Sequence, residues 1–147
     1  MAAIKRRAGV LRRRVSSAHR RLDRMFDGVR AAFERDRPAA ARPPLFGRLR
    51  EALETHLAQE DGLYYPTIWA LRPECREPLE AFIRAHEQFR RRLARIGDQL
   101  ARGKLAAARR ALDDFGRVFA RHERAEERFL HELEAELAAA AQSPPSR

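Results

Sequence analysis

Asparagine is absent from the 147 residues, glycine occurs only 7 times and cysteine once. So few turn-forming residues argue against an all-β chain, which needs them at every hairpin. A single cysteine excludes a disulfide framework and a cysteine-rich zinc ribbon. No apolar run approaches the roughly 18–20 residues of a membrane-spanning helix. There is no glycine-rich phosphate loop and no Ser/His/Asp arrangement, so kinase and hydrolase chemistry lacks its usual parts. Residues 1–15 hold arginine clusters without a continuous apolar stretch, which argues against a secretory signal, and a cytoplasmic location is the default expectation. Lysine is scarce too: Lys5 and Lys104 stand alone beside 29 arginines.

What charge there is lies unevenly. Residues 1–50 carry a net +11 and residues 51–147 a net −1. Clustered cations attract phosphates and other anions, so the basic N-terminus suggests an anionic partner such as nucleic acid, a phospholipid surface or an acidic protein. A solvated helix face in an arginine-rich chain explains the same charge.

A chain of this length suits one domain with one core. Val15, Leu22, Phe26, Val29 and Phe33 recur at helical spacing towards Asp36, and Pro38, Pro43 and Pro44 forbid continuation. A second run passes from Leu45 through Leu49, Leu53 and Leu57 to about Trp69, with Gly62 and Pro66 predicting a kink in its last third. After Pro73 and Pro78, the residues Leu79, Phe82, Phe89, Leu93, Ile96 and Leu100 trace one face of a third helix. Gly103 marks a turn, and a fourth helix runs from about Lys104 through Phe115, Phe119, Phe129 and Leu133 to near Ala141. The expected fold is all-α: an antiparallel up-down-up-down four-helix bundle over residues 15–141. Residues 1–14 form a basic arm or helix extension, and residues 142–147 a frayed tail.

Five histidines are present, and His19, His56, His86 and His122 fall one per helix. At about 100° per residue, His19 lies within about 60° of Val15, Leu22 and Phe26, and His86 within about 60° of Leu79, Phe82, Phe89 and Leu93. His56 is followed four residues later by Glu60 and His122 by Glu126, each pair on an apolar face. A buried carboxylate without a cation costs several kcal/mol, and no Lys or Arg is placed one per helix to offset it. The pattern also repeats, with 37 residues from His19 to His56 and 36 from His86 to His122. Two hairpins, each bearing a lone His and then His-x-x-x-Glu, bring four imidazoles and two carboxylates to one level. That set is too large for one ordinary metal ion and suits two, with iron first and manganese or zinc as alternatives.

The ordered set His19, His56-Leu57-Ala58-Gln59-Glu60-Asp61 leading to Tyr65-Pro66, His86-Glu87 and His122-Glu123-Arg124-Ala125-Glu126-Glu127 resembles the hemerythrin-like HHE cation-binding domain over about residues 15–137. The resemblance implies a four-helix bundle holding an oxo- or hydroxo-bridged di-iron centre. In that family such centres bind dioxygen, sense oxygen or iron, or respond to oxidative and nitrosative stress. It implies His19, His56, His86 and His122 as terminal ligands and Glu60 and Glu126 as bridges. The chain differs from the oxygen-carrying hemerythrins at two places. They carry an H-x-x-x-H pair on the third helix, where Phe82 and Arg90 flank His86 here, and an H-x-x-x-x-D pattern on the fourth, where His122 reaches Glu126 after four residues and Glu127 after five. Water or an additional carboxylate is then expected to complete the coordination.

The remaining candidates carry less. His131 lies about 180° around the helix from His122, a surface position. Asp61 and Glu127 are rim groups, suited to hydrogen-bonding ligand histidines. Tyr64 and Tyr65 lie two turns beyond His56, where one of them can approach the metals, though an aromatic packed at the kink accounts for either, and Cys75 reads as a loop thiol. The expected function is a di-iron protein reacting with dioxygen, peroxide or nitric oxide as a sensor, buffer or stress-response protein. The alternatives are an oxidoreductase turning over peroxide or nitric oxide at the same centre, and a helical adaptor that uses its basic N-terminus.

Overall fold

The computed structural model describes residues 2–34 and 42–140, with side chains from residue 6 onward. Among these residues there is no strand. The expected end of the first helix at Asp36, Pro38, Ala141 and the tail 142–147 lie outside the described residues.

Four long helices make the bundle. Helix α1 spans Ala2–Glu34 and α2 spans Arg42–Gln59. A π-helical turn, Glu60–Tyr64, joins α2 directly to the short α3, Tyr65–Leu71. After a 3₁₀ turn at Pro73–Cys75 come α4, Arg76–Ala101, and α5, Leu105–Ala140. No helix among the described residues is long and apolar enough to cross a membrane.

The first helix starts well before Val15, because Ala8, Leu11 and Val15 continue the apolar stripe through the arginine clusters. Ala8 and Val15 are buried, and with Leu11 they pack on Tyr65, Ile68, Leu130, Leu133 and Leu137 as a small core at one end of the bundle. The larger core fills the other end. There Leu22 and Phe26 of α1 meet Leu49, Leu53 and Leu57 of α2, Phe89 and Leu93 of α4, and Phe115 and Phe119 of α5. The Phe26 and Phe115 rings stack with centroids 5.5 Å apart, and Phe89 meets Phe119 edge-on at 5.5 Å.

Cross-helix contacts follow one order. Rising residue numbers on α4 meet falling numbers on α5, from Phe82 with Phe129 to Phe89 with Phe115. The same holds for α1 against α5, from Arg12 with Glu134 to Arg30 with Asp113. Gly103 closes the α4–α5 turn with φ +70°, a conformation that costs glycine nothing. Its N–H donates to the Leu100 carbonyl at 3.0 Å, and Lys104 N–H to that of Gln99 at 2.8 Å, the paired bonds that stop a helix at a left-handed residue.

The kink expected from Gly62 and Pro66 is the π-helical turn. Pro66 has no N–H to offer the carbonyl one turn back, and its ring clashes with it in a regular helix. The chain relaxes by taking one wider turn, in which the Tyr65 N–H bonds to the Glu60 carbonyl five residues earlier. On an unbroken α-helix Tyr65 would lie about 140° away from Glu60. Through the wider turn both side chains are buried.

Candidate metal centre

Between the two apolar cores lies a polar layer. His19, His56, Glu60, His86, His122, Glu123 and Glu126 are all buried there. Helix α1 delivers His19 from the stripe that carries Val15 and Leu22. Helix α4 delivers His86 from the stripe of Leu79, Phe89 and Leu93, and α2 and α5 deliver the two His-x-x-x-Glu pairs.

The structure brings all six sequence-derived candidates together. His56 Nε2 lies 3.0 Å from Glu60 Oε1, and His19 Nε2 lies 3.9 Å from the same oxygen. On the other side, His86 Nε2 is 3.5 Å from Glu60 Oε2 and 2.9 Å from His122 Nε2. Two groups with metal-ligand spacing result, His19–His56–Glu60 and Glu60–His86–His122. Glu60 belongs to both, one oxygen turned to each. Glu126 spans the same divide through one oxygen, its Oε2 lying 3.3 Å from His19 Nε2 and 4.0 Å from His122 Nε2. Its Oε1 accepts a 2.8 Å hydrogen bond from the Tyr65 hydroxyl, which also lies 3.5 Å from His86 Nε2.

The outer faces of two imidazoles are held by carboxylates. His86 Nδ1 donates to Asp61 Oδ1 at 2.7 Å, and Arg90 Nη2 donates to Asp61 Oδ2 at 2.8 Å. His19 Nδ1 donates to Glu127 Oε1 at 2.9 Å. A hydrogen on Nδ1 leaves the lone pair of a neutral imidazole on Nε2, pointing inward, and fixes ring orientation as such partners do at metal-binding histidines. The expectation for Asp61 and Glu127 thus has its geometric counterpart. Each of these acids directly follows a Glu of the polar layer and reaches the lone His of the other hairpin.

The inward atoms lack partners. His19 Nε2, both oxygens of Glu60 and Glu126 Oε2 are buried with no hydrogen bond. Buried nitrogen and oxygen atoms that converge without hydrogen bonds are costly to leave so, and cations of the kind bound by N and O ligands relieve that. This donor set fits a metal.

Electrostatics agrees. Burial, then the charge of Glu126, pushes the Glu60 carboxyl well above its ordinary value. Burial pushes Glu126 up as well, but the close contact with His19, the charge of His122 and the Tyr65 hydroxyl bring it below. His56 is lowered to about 4 by burial and by His19, and His122 to about 4 mainly by burial. Burial also lowers His19, yet Glu126, Glu123 and Glu127 raise it overall. Asp61, lifted by burial, is drawn down further by His86 and Arg90.

Glu123 was given no role by the sequence reasoning. It is buried on the α1 side of α5, its Oε1 has no partner, and burial with the neighbouring Asp23 raises it to about 8 against the pull of His19. The signal was available: Glu123 precedes Glu126 by three residues, about 60° around the helix. Of the two tyrosines, Tyr65 is the one that reaches the layer, and the sequence did not single it out because the π-helical turn changes the phase. Phe82 and Arg90, four residues either side of His86, supply no ligand: Phe82 packs edge-on against the His122 ring at 5.3 Å, and Arg90 serves Asp61. His131 is exposed, Tyr64 packs on the smaller core, and Cys75 is a half-buried free thiol.

A family model described as the hemerythrin HHE cation binding domain matches residues 10–133. No curated protein and no solved structure matches the chain.

Proposed function

Because the chain belongs to the hemerythrin HHE cation-binding domain family, we propose that it is a non-haem di-iron protein that reacts with dioxygen, peroxide or nitric oxide as a sensor, buffer or stress-response protein. In this reading His19 and His56 would hold one iron, His86 and His122 the other, and Glu60 and Glu126 would be shared between the two. The bundle is read as antiparallel, up-down-up-down, in keeping with the contact order along α1, α4 and α5. The observation that carries the proposal is the convergence of buried, partnerless atoms of Glu60, His19 and Glu126 on one layer.

A pair of iron ions supplies reversible one-electron steps and open positions for a small ligand. The chain's own residues do the rest. Asp61 and Glu127 hold His86 and His19 in the tautomer that presents Nε2. Tyr65 donates to Glu126, which fixes that carboxylate and leaves its other oxygen for the cations. Phe82 and Phe89 pack against the His122 ring and keep water from that side. Glu123 places a further buried carboxyl beside His19.

Metal analysis of protein produced with iron supplied is the test. The expected result is two irons per chain and a visible absorption that changes on anaerobic reduction and returns on reoxidation. Protein that takes up no metal on reconstitution, and gains no thermal stability from it, would sink the reading, since an ion bound to the native state must stabilise it.

A further inference from the structure

Away from the metal layer, a groove of about 580 Å³ opens between the N-terminal turns of α1, helix α3 and the C-terminal half of α5. Its floor is the outer side of the smaller core, formed by Ile68, Leu130, Leu133 and Leu137. Its lips are apolar as well, with Leu63 56% and Val10 43% exposed. The volume lies within the roughly 300–1,000 Å³ of small-molecule sites.

The rim is cationic. Arg6, Arg7 and Arg14 line it from α1 and Arg72 from the opposite side. Arg72 is engaged by Glu74 and Glu136, whereas Arg6, Arg7 and Arg14 have no carboxylate partner among the described residues. Arg7, Val10 and Arg14 fall on one stripe of α1, at steps of three and four residues. One stripe thus lays two guanidiniums either side of an apolar contact, over a leucine floor.

We propose that this groove binds one monomeric long-chain carboxylate, its alkyl chain on the leucine floor and its head on the arginines of α1. An apolar body with one anionic end matches both halves of the surface. A second copy of the chain brings the same arginines and meets like charge. Residues 142–147, Gln-Ser-Pro-Pro-Ser-Arg, carry no acidic side chain and no large aliphatic one. The inference stands apart from the metal reading, because none of its residues belongs to the polar layer.

The test titrates the intact protein, with and without metal, with laurate below its micelle concentration, and with dodecanol as the uncharged match. Saturable binding of one laurate per chain is expected, each methylene added from octanoate upward tightening it by up to about fourfold. Val10→Glu places a carboxylate among the methylenes and should weaken binding at least about tenfold. Leu63→Glu does the same from the other lip, and both sites are exposed enough to keep the fold, which circular dichroism checks. The double variant Arg7→Gln/Arg14→Gln should lose about two- to tenfold for laurate and nothing for dodecanol. No saturable laurate binding, equal affinity for laurate and dodecanol, unchanged binding by both glutamate variants, or association only with anionic phospholipid vesicles would each overturn the proposal.

Discussion

A carboxyl group in a dry layer keeps its proton until a cation replaces it, and Glu60 and Glu126 differ in how far that applies. Glu60 has no hydrogen-bond partner on either oxygen, while Glu126 holds the Tyr65 hydroxyl and lies against His19. In metal-free protein Glu60→Gln should therefore be neutral or stabilising, whereas Glu126→Gln should cost about 1–3 kcal/mol by leaving its partners poorly matched. Both should lose iron, and His131→Ala should lose none. Urea denaturation of the apo forms beside metal analysis of the loaded forms checks this, and a ligand is recognised by that reversal in Glu60→Gln. Glu123 makes a second case through pH. Its folded value of about 8 lies above the ordinary 4.5, so the stability it contributes is complete below about pH 4.5 and lost as pH rises through about 8. Glu123→Gln removes that loss, and apo variant and parent should diverge by roughly 2–4 kcal/mol between pH 5 and pH 9, the variant being the more stable at pH 9. Equal pH dependence in the two would show that Glu123 ionises as freely as a surface acid.

Among the elements, the N-terminal turns of α1 have the most direct consequence for stability. Deleting residues 1–13 leaves His19 and every other group of the polar layer in place but strips Ala8 and Leu11 from Leu130, Leu133 and Leu137. Thermal melting should fall by several degrees with the metal stoichiometry kept. Loss of metal along with the melting temperature would mean that the two ends of the bundle are coupled. At the α4–α5 turn, Gly103→Ala forces a side chain into positive φ and should cost about 1 kcal/mol without touching the centre. The long helices were legible from leucine and phenylalanine periodicity, and so was the break at Gly62 and Pro66. The start of α1 was not, because Ala8 and Leu11 are small or isolated among arginines and only their contact with α5 reveals a stripe. Nor was the phase beyond the break. A proline predicts that a helix must yield, but whether it bends, stops or takes a wider turn depends on what the following residues pack against, and that choice is what carries Tyr65 to Glu126. The lone histidines and the His-x-x-x-Glu pairs could be read because helical spacing fixes which face they share. That Asp61 and Glu127 hydrogen-bond candidate ligand histidines was legible too, but which histidine each one reaches depends on the distance between hairpins, which no single-helix projection contains.

Across the whole molecule, the hairpins exchange support. Asp61 of the first holds His86 of the second, and Glu127 of the second holds His19 of the first. The exchange is unequal: Arg90 secures Asp61, while the Glu127 side chain is 41% exposed and bonds only His19 among the described residues. The protons held within the layer then set how metal uptake should vary with pH. A ligand must shed its proton before it coordinates, so binding competes with protonation. His56 and His122, lowered to about 4, are already neutral above about pH 5 and impose no cost there. Among the six proposed ligands, Glu60 and His19 are the groups raised in the metal-free protein, Glu60 by burial and its neighbour Glu126, His19 by the acids that overcome its burial. Each must release a proton as the cations arrive. Calorimetric titration of apo protein with ferrous iron under anaerobic conditions, in buffers of different ionisation enthalpy, should show net proton release on binding, and affinity that weakens steadily from pH 8 towards pH 5. Glu60→Gln should lower that release, whereas Asp61→Asn should leave it unchanged and loosen His86 instead. If uptake released no protons, or if Glu60→Gln released as many as the parent, Glu60 would already be ionised in the apo protein, and the energetic argument that its buried oxygens await a cation would fail.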